Sequence, residues 1–258
     1  MASLRKHWPQ YLIEGWGIGT FMLVAGLVAA ALASLPPPLS AALTAKPLLG
    51  RFIFGLAMGA TAISIIYSRW GSLSGAHLNP ALTLAYAWLG KIAPWDAIFY
   101  IIAQFAGAAG GFALAVLLVP DALRRARDIV TQPGPLGPAV AFAAEFGMTF
   151  VLMTVVLHLS NAGPRARFTG IAAGVLVAAF ITLEAPLSGM SLNPARTAAS
   201  AALARDWTSI WIYFTAPPLG MLVAAATYVR MHGTKAVMCA KLNHQPGPCI
   251  FRCRYSSP

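Results

Sequence analysis

Ser74–Thr83 reads SGAHLNPALT, and Ser188–Thr197 reads SGMSLNPART. Seven of the ten positions are identical, and Asn79 and Asn193 stand 114 residues apart. Asn is a favoured helix N-cap, and Pro is favoured at the first helical position. Asn79-Pro80-Ala81 and Asn193-Pro194-Ala195 therefore read as two helix starts. The preceding Ser74-Gly75 and Ser188-Gly189 permit a sharp backbone entry. The segments that follow, Pro80–Gly90 and Pro194–Arg205, run for only about three turns. At ~1.5 Å per residue they reach about halfway through a ~30 Å hydrocarbon core. They are too short to cross a membrane and long enough to dip to its middle. Non-helical backbone at that depth survives only when buried in protein or lining a watery cavity.

The surrounding composition makes the membrane setting compelling. The chain has 258 residues, 58% hydrophobic and only 10% charged, with a mean hydropathy of +0.69. Soluble domains carry about 25% charged residues. Six apolar runs approach the length needed to span a bilayer, at about 11–34, 48–68, 95–119, 139–160, 168–186 and 208–230. The first is longer than a signal-peptide core and carries Glu14, so it reads as a retained span. The predicted class is an all-α membrane protein of six spans plus two half-helices. Its parts are an N-terminus over 1–10, a membrane domain over 11–230 and a tail over 231–258.

The spans fall into two halves, about 11–119 and 139–230, joined by a connection rich in charge and Pro over 120–138. Glu14 opens one half and Glu145 the other. Gln104-Phe105-Ala106-Gly107 aligns with Pro217-Pro218-Leu219-Gly220. Each half holds three spans, an odd number, so the second enters from the opposite side as an inverted repeat. The net charge of +11 would suggest nucleic acid in a soluble protein. Here the basic residues sit in loops and tails, so the expected partner is a lipid bilayer and not nucleic acid. With both termini cytoplasmic, the inside holds eleven basic residues: Arg5, Lys6, Arg69, Lys91, Arg165, Arg167, Arg230, Lys235, Lys241, Arg252 and Arg254. The outside holds six, Lys46, Arg51, Arg124, Arg125, Arg127 and Arg205. This favours termini inside, although the central connection, even with Asp121 and Asp128, votes the other way.

Two half-helix N-termini meeting at the midplane bring together two positive dipole ends. Cations and protons meet a barrier there, whereas a neutral solute does not. The Asn amides offer hydrogen bonds to a passing oxygen atom. These paired motifs resemble the hallmark of the aquaporin, or major intrinsic protein, family. The resemblance covers residues 11–230 and implies a right-handed six-span bundle, a pore in each subunit and a homotetramer. It also implies an outer selectivity filter. Arg196, three residues after Asn193, matches the family's arginine, Met190 a second position and Ile181 a third. The fourth position is Phe54 by local pattern, or Gly59 or a neighbour by spacing from Asn79. Ile181 stands where strict water channels carry His, and Thr197 stands where glycerol facilitators carry Asp.

Glu14, Glu145 and Glu184 are expected to accept hydrogen bonds from re-entrant backbone, with a pore-mouth role open for Glu184. His77 is expected to be packed and hydrogen-bonded. Trp8, Trp70, Trp88, Trp95 and Trp207 fall near membrane interfaces, where anchoring accounts for them. Cys239, Cys249 and Cys253 lie in a Pro- and Gly-rich tail, with His244 between them. Their spacing matches no standard zinc pattern, so an unstructured tail with no metal and no cofactor is expected. No nucleophile–base pair suggests an enzyme. The predicted function is a passive channel for water and small neutral solutes, glycerol among them. The alternative is a secondary transporter, which would need a coupling-ion site that the sequence does not display.

Overall fold

The computed structural model describes residues 2–125, 129–245 and 249–255, so Arg127 and Asp128 of the central connection lie outside it. Among the described residues six helices are long and apolar enough to span: Ser3–Ala33, Pro47–Tyr67, Pro94–Leu118, Pro138–Ser160, Gly163–Ser188 and Ile210–His232. They comprise α1 (Ala2–Ala33), α3 (Pro47–Tyr67), α6 (Pro94–Leu118), α8 (Pro138–Ser160), α9 (Thr169–Ser188) and α11 (Ile210–His232). Short helices α2 (Pro37–Ala45), α4 (Arg69–Ser74) and α7 (Pro120–Arg125) lie in the connections. The half-helices are α5 (Pro80–Trp88) and α10 (Pro194–Ala204). Pro37, Pro47, Pro80, Pro94, Pro120, Pro138 and Pro194 each open a helix, where a missing N–H costs nothing.

Glycine sets how closely the spans pack. A Cβ on Gly107 would lie 2.1 Å from the Gly15 carbonyl oxygen, and one on Gly111 2.0 Å from that of Gly19. These glycines are one helical turn apart and fuse α1 to α6 backbone to backbone. The corresponding seam in the second half joins α8 to α11, where a Cβ on Gly220 would meet the Phe146 carbonyl at 2.4 Å. The halves meet along α3 and α9, where Gly59 faces the Gly174 carbonyl. Each half-helix also reaches into the other repeat: α5 packs on α11, and α10 packs on α6. Lipid-facing positions such as Ile102, Leu117, Val175 and Leu183 are exposed, as are the five tryptophans expected at the interfaces.

Residues 2–10 form the first turns of α1, anchored where His7 Nδ1 and the Tyr11 hydroxyl meet Asp96 Oδ1 at 2.9 and 2.6 Å. One expectation is corrected. The tail is not unstructured. Residues 237–245 and 249–255 fold back across the end of the bundle that carries both termini. Val237, Cys239, Leu242 and Phe251 are buried in the same core cluster as α5 and α11. Backbone bonds tie it down: Leu242 N donates to Gly75 O at 3.1 Å, and Arg252 N donates to Lys91 O at 2.9 Å. Met238 N donates to Asn161 Oδ1 at 2.6 Å. The tail's apolar residues follow no helical or strand period, because they fit a floor built by other elements. Cys239 and Cys249 sulfurs lie 3.7 Å apart. A hydrogen bond from Cys239 pulls the Cys249 thiol down to about 6, and the Cys239 thiol is correspondingly pushed up.

Candidate channel site

The two re-entrant loops adopt the same strained backbone. Ala76 and Leu78 have φ of 54° and 53°, and Met190 and Leu192 have φ of 45° and 59°. Left-handed φ is costly for residues with a Cβ, about 1–3 kcal/mol each, and needs the surroundings to enforce it. Buried carboxylates do so. Glu14 accepts from Ser74 Oγ, His77 N, Leu78 N and Gln104 Nε2 at 2.8, 3.0, 2.6 and 2.8 Å. Glu145 accepts from Ser188 Oγ, Ser191 N and Leu192 N at 2.7, 2.6 and 2.7 Å. Tyr100 donates to Ser74 O and Tyr213 to Ser188 O, at 2.7 and 2.5 Å. These tyrosines sit four residues before Gln104 and Pro217, which fixes the register of the repeat.

Asn79 and Asn193 cap their half-helices as expected. Their Oδ1 atoms accept from Ala81 N and Ala195 N, both at 2.9 Å. Their amide nitrogens cross between repeats. Asn79 Nδ2 donates to Leu192 O at 2.8 Å, and Asn193 Nδ2 donates to Leu78 O at 2.7 Å. An amide nitrogen carries two hydrogens, so each Asn keeps a second donor. Pro80 and Pro194 open the half-helices, and the small, fully buried Ala81 and Ala195 let the half-helix ends meet.

A cavity of about 110 Å³ runs through this junction, lined by both asparagines. Phe54, Ile181, Met190 and Arg196 also line it. Gly59 does not; it lies in the α3–α9 seam, and its neighbour Met58 faces the cavity instead. Arg196 Nη1 donates to Thr131 Oγ1 at 2.9 Å, which steadies the guanidinium from the central connection. Thr131 also approaches Thr197 and Ser200. Nothing in the sequence singled out Thr131, because it lies in a connection with no periodicity. At the termini end, His77 and Leu242 line the cavity. His77 bonds Thr83 Oγ1 and Ala240 O at 3.1 and 2.9 Å, so it is packed as expected.

Glu184 departs from expectation. Its carboxylate is buried, and neither oxygen has a hydrogen-bond partner among the described residues. It therefore does not share the loop-holding role of Glu14 and Glu145.

Residues 5–228 match the family described as major intrinsic protein. This chain belongs to the major intrinsic protein family. It is accordingly a multi-pass integral membrane protein of a channel family, not an enzyme. It is 40% identical over 171 residues to Aquaporin NIP6-1 of Arabidopsis thaliana, covering 65% of this chain and 54% of that one. It is 38% identical over 176 residues to Glycerol uptake facilitator protein-like 6 of Lactiplantibacillus plantarum, covering 66% and 81%. The matched region thus spans only about half to two thirds of the plant relatives' own lengths. The aquaglyceroporin from Plasmodium falciparum superposes with a TM-score of 0.73 at 20% identity, over 88% of this chain and 98% of that one. That match confirms the fold: six spans and two half-helices in an inverted repeat.

Proposed function

We propose that this major intrinsic protein is a passive pore for water and small uncharged solutes that rejects protons and ions. The observation that carries the reading is the crossing of Asn79 and Asn193 inside one cavity that also contacts Arg196. A solute passing there meets two helix N-termini and a fixed guanidinium, all unfavourable to cations. It also meets amide donors that replace part of a neutral molecule's hydration. Phe54, Ile181, Met190 and Arg196 form the selectivity filter in this reading. Ile181 and Met190 give that filter an apolar wall. This favours solutes with a carbon skeleton, such as glycerol, beside water, and one relative is named a glycerol uptake facilitator. A coupled transporter needs a carboxylate in the pathway for its driving ion; Glu14 and Glu145 are committed to loop backbone, and the buried Glu184 is not among the residues that line the cavity.

The basic residues favour a cell-membrane channel with both termini in the cytoplasm, and the family resemblance favours a homotetramer. Stopped-flow light scattering on proteoliposomes tests the activity. Osmotic shrinkage with a low activation energy and no proton current is expected. Shrinkage no faster than in empty vesicles, from folded protein, would overturn the reading.

A further inference from the structure

The sulfurs of Cys239, Cys249 and Cys253 all lie within 4.8 Å of one another. His244 Nε2 stands 3.2 Å from Cys253 Sγ. A tetrahedral zinc ion with Zn–S near 2.3 Å and Zn–N near 2.05 Å separates its sulfurs by about 3.8 Å and sulfur from nitrogen by about 3.6 Å. The Cys239–Cys249 separation of 3.7 Å is already that distance. Three soft donors and one imidazole form a set that selects Zn²⁺ over hard cations. Buried Lys91 and Lys241 place positive charge near the sulfurs, as a cluster of thiolates requires. The sequence concealed this arrangement. The spacing matches no zinc-finger pattern because the ligands converge only when the tail folds back on the bundle.

We propose that Cys239, Cys249, Cys253 and His244 bind a zinc ion, and that this ion clasps the tail as a cap over the pore mouth at the termini end. The ligands alternate with the residues that cover the mouth. Ala240 accepts the hydrogen bond from His77, and Leu242 lines the cavity itself. Phe251, between the second and third cysteines, stacks on the His77 ring at 5.3 Å and 16°. The metal takes all three cysteines as thiolates, so binding releases whatever protons they still hold, while neutral His244 supplies a lone pair. The ion joins the two arms of a short segment that has little core of its own, the setting in which metal binding becomes folding energy. Loss of the metal frees Phe251 and Leu242 to leave the mouth. The clasp is therefore a metal- and thiol-sensitive control on flux. The control, though not the metal site, rests on the channel reading.

The test uses the full-length chain purified without chelator. About one zinc per chain is expected by atomic emission, falling to background in Cys249→Ser and weakened in His244→Ala. Cobalt substitution should give the intense visible bands of a tetrahedral thiolate site. In proteoliposomes, a membrane-permeant zinc chelator should raise water flux several-fold in the parent. Cys249→Ser should already be fast and insensitive to chelator. Phe251→Ala, which leaves every ligand in place, should keep its zinc and still conduct faster. Absence of zinc from reduced parent protein, or a Cys239–Cys249 disulfide in its place, would overturn the site. Zinc that binds and leaves without changing flux, while Phe251→Ala conducts like the parent, would overturn the cap. If no variant conducts, the channel reading fails while the zinc measurement still decides the site.

Discussion

Ala76 and Leu78 in the first re-entrant loop take the same left-handed backbone as Met190 and Leu192 in the second, and each pair is held by a buried glutamate. The side chains around those backbones differ. Three residues after the capping asparagine stands Leu82 in one loop and Arg196 in the other. Glu14 has a fourth donor in Gln104, and the matching position on α11 is Pro217, which has none to give. His77 is covered by Phe251 and the tail, whereas Arg196 is braced by Thr131 of the central connection. Backbone geometry at the midplane has to be duplicated for two half-helices to meet. The side chains at the two ends need not repeat, because they pack against different elements: the tail at one end and the central connection at the other. The scaffold is symmetric and the chemistry is not.

Replacing the glutamates should have the largest effect. Glu14→Ala removes the acceptor of four buried donors, of which only Gln104 Nε2 keeps another partner, Thr83 Oγ1, and Glu145→Ala removes that of three, at about 1–3 kcal/mol for each donor left unsatisfied. Both variants should lose several kcal/mol, Glu14→Ala more. Thermal unfolding in detergent checks this, and a melting temperature unchanged in either variant would break the claim that the carboxylate enforces the loop.

Arg196→Val should give the largest change in selectivity. The cation barrier falls and the filter widens, so protons and larger neutral solutes leak while water still passes the asparagine junction. Flux of water, glycerol and protons through the same purified variant is the measurement. Selectivity identical to the parent, with water flow intact, would remove Arg196 from the filter.

Phe54 and Gly59 separate the pore from the seam. Phe54→Ala should raise glycerol flux with little change in selectivity against ions. Gly59→Ala brings a Cβ to 2.5 Å from the Gly174 carbonyl oxygen and should cost about 1–3 kcal/mol of stability without altering selectivity. Exchanged outcomes would favour Gly59 over Phe54 as the filter residue.

The smallest effect belongs to Gln104→Leu. Glu14 keeps its other three partners, and Pro217 already serves the second half at this register. A loss of about 1 kcal/mol is expected. A loss as large as that of Glu14→Ala would mean that the two halves hold their loops by different principles.

The two Asn-Pro-Ala motifs were legible because helix caps are local: one side chain bonds a backbone N–H two residues on. The spans were legible because lipid demands long apolar runs, and the inverted repeat followed from counting them. Glu14 and Glu145 were found by their matching places in the two halves. The same reasoning overreached for Glu184, which has the residue type and the depth and lies near Ser188, but makes no hydrogen bond to the loop among the described residues.

The sequence by itself determined the six spans, the two half-helices and the asparagines that start them, since each rests on interactions within a few residues or with the solvent. Tertiary structure alone put Phe54 and Met58 on the cavity wall and Gly59 in the α3–α9 seam, because a helix shows its faces only once a neighbour is packed against it. It alone brought Thr131 to Arg196, and it folded residues 237–245 and 249–255 back onto the bundle. Cys239, Cys249, Cys253 and His244 had no periodic pattern to announce them. Their meeting depends on the floor formed by Gly75, His77, Lys91 and Asn161, residues far away in the chain that only the folded bundle gathers.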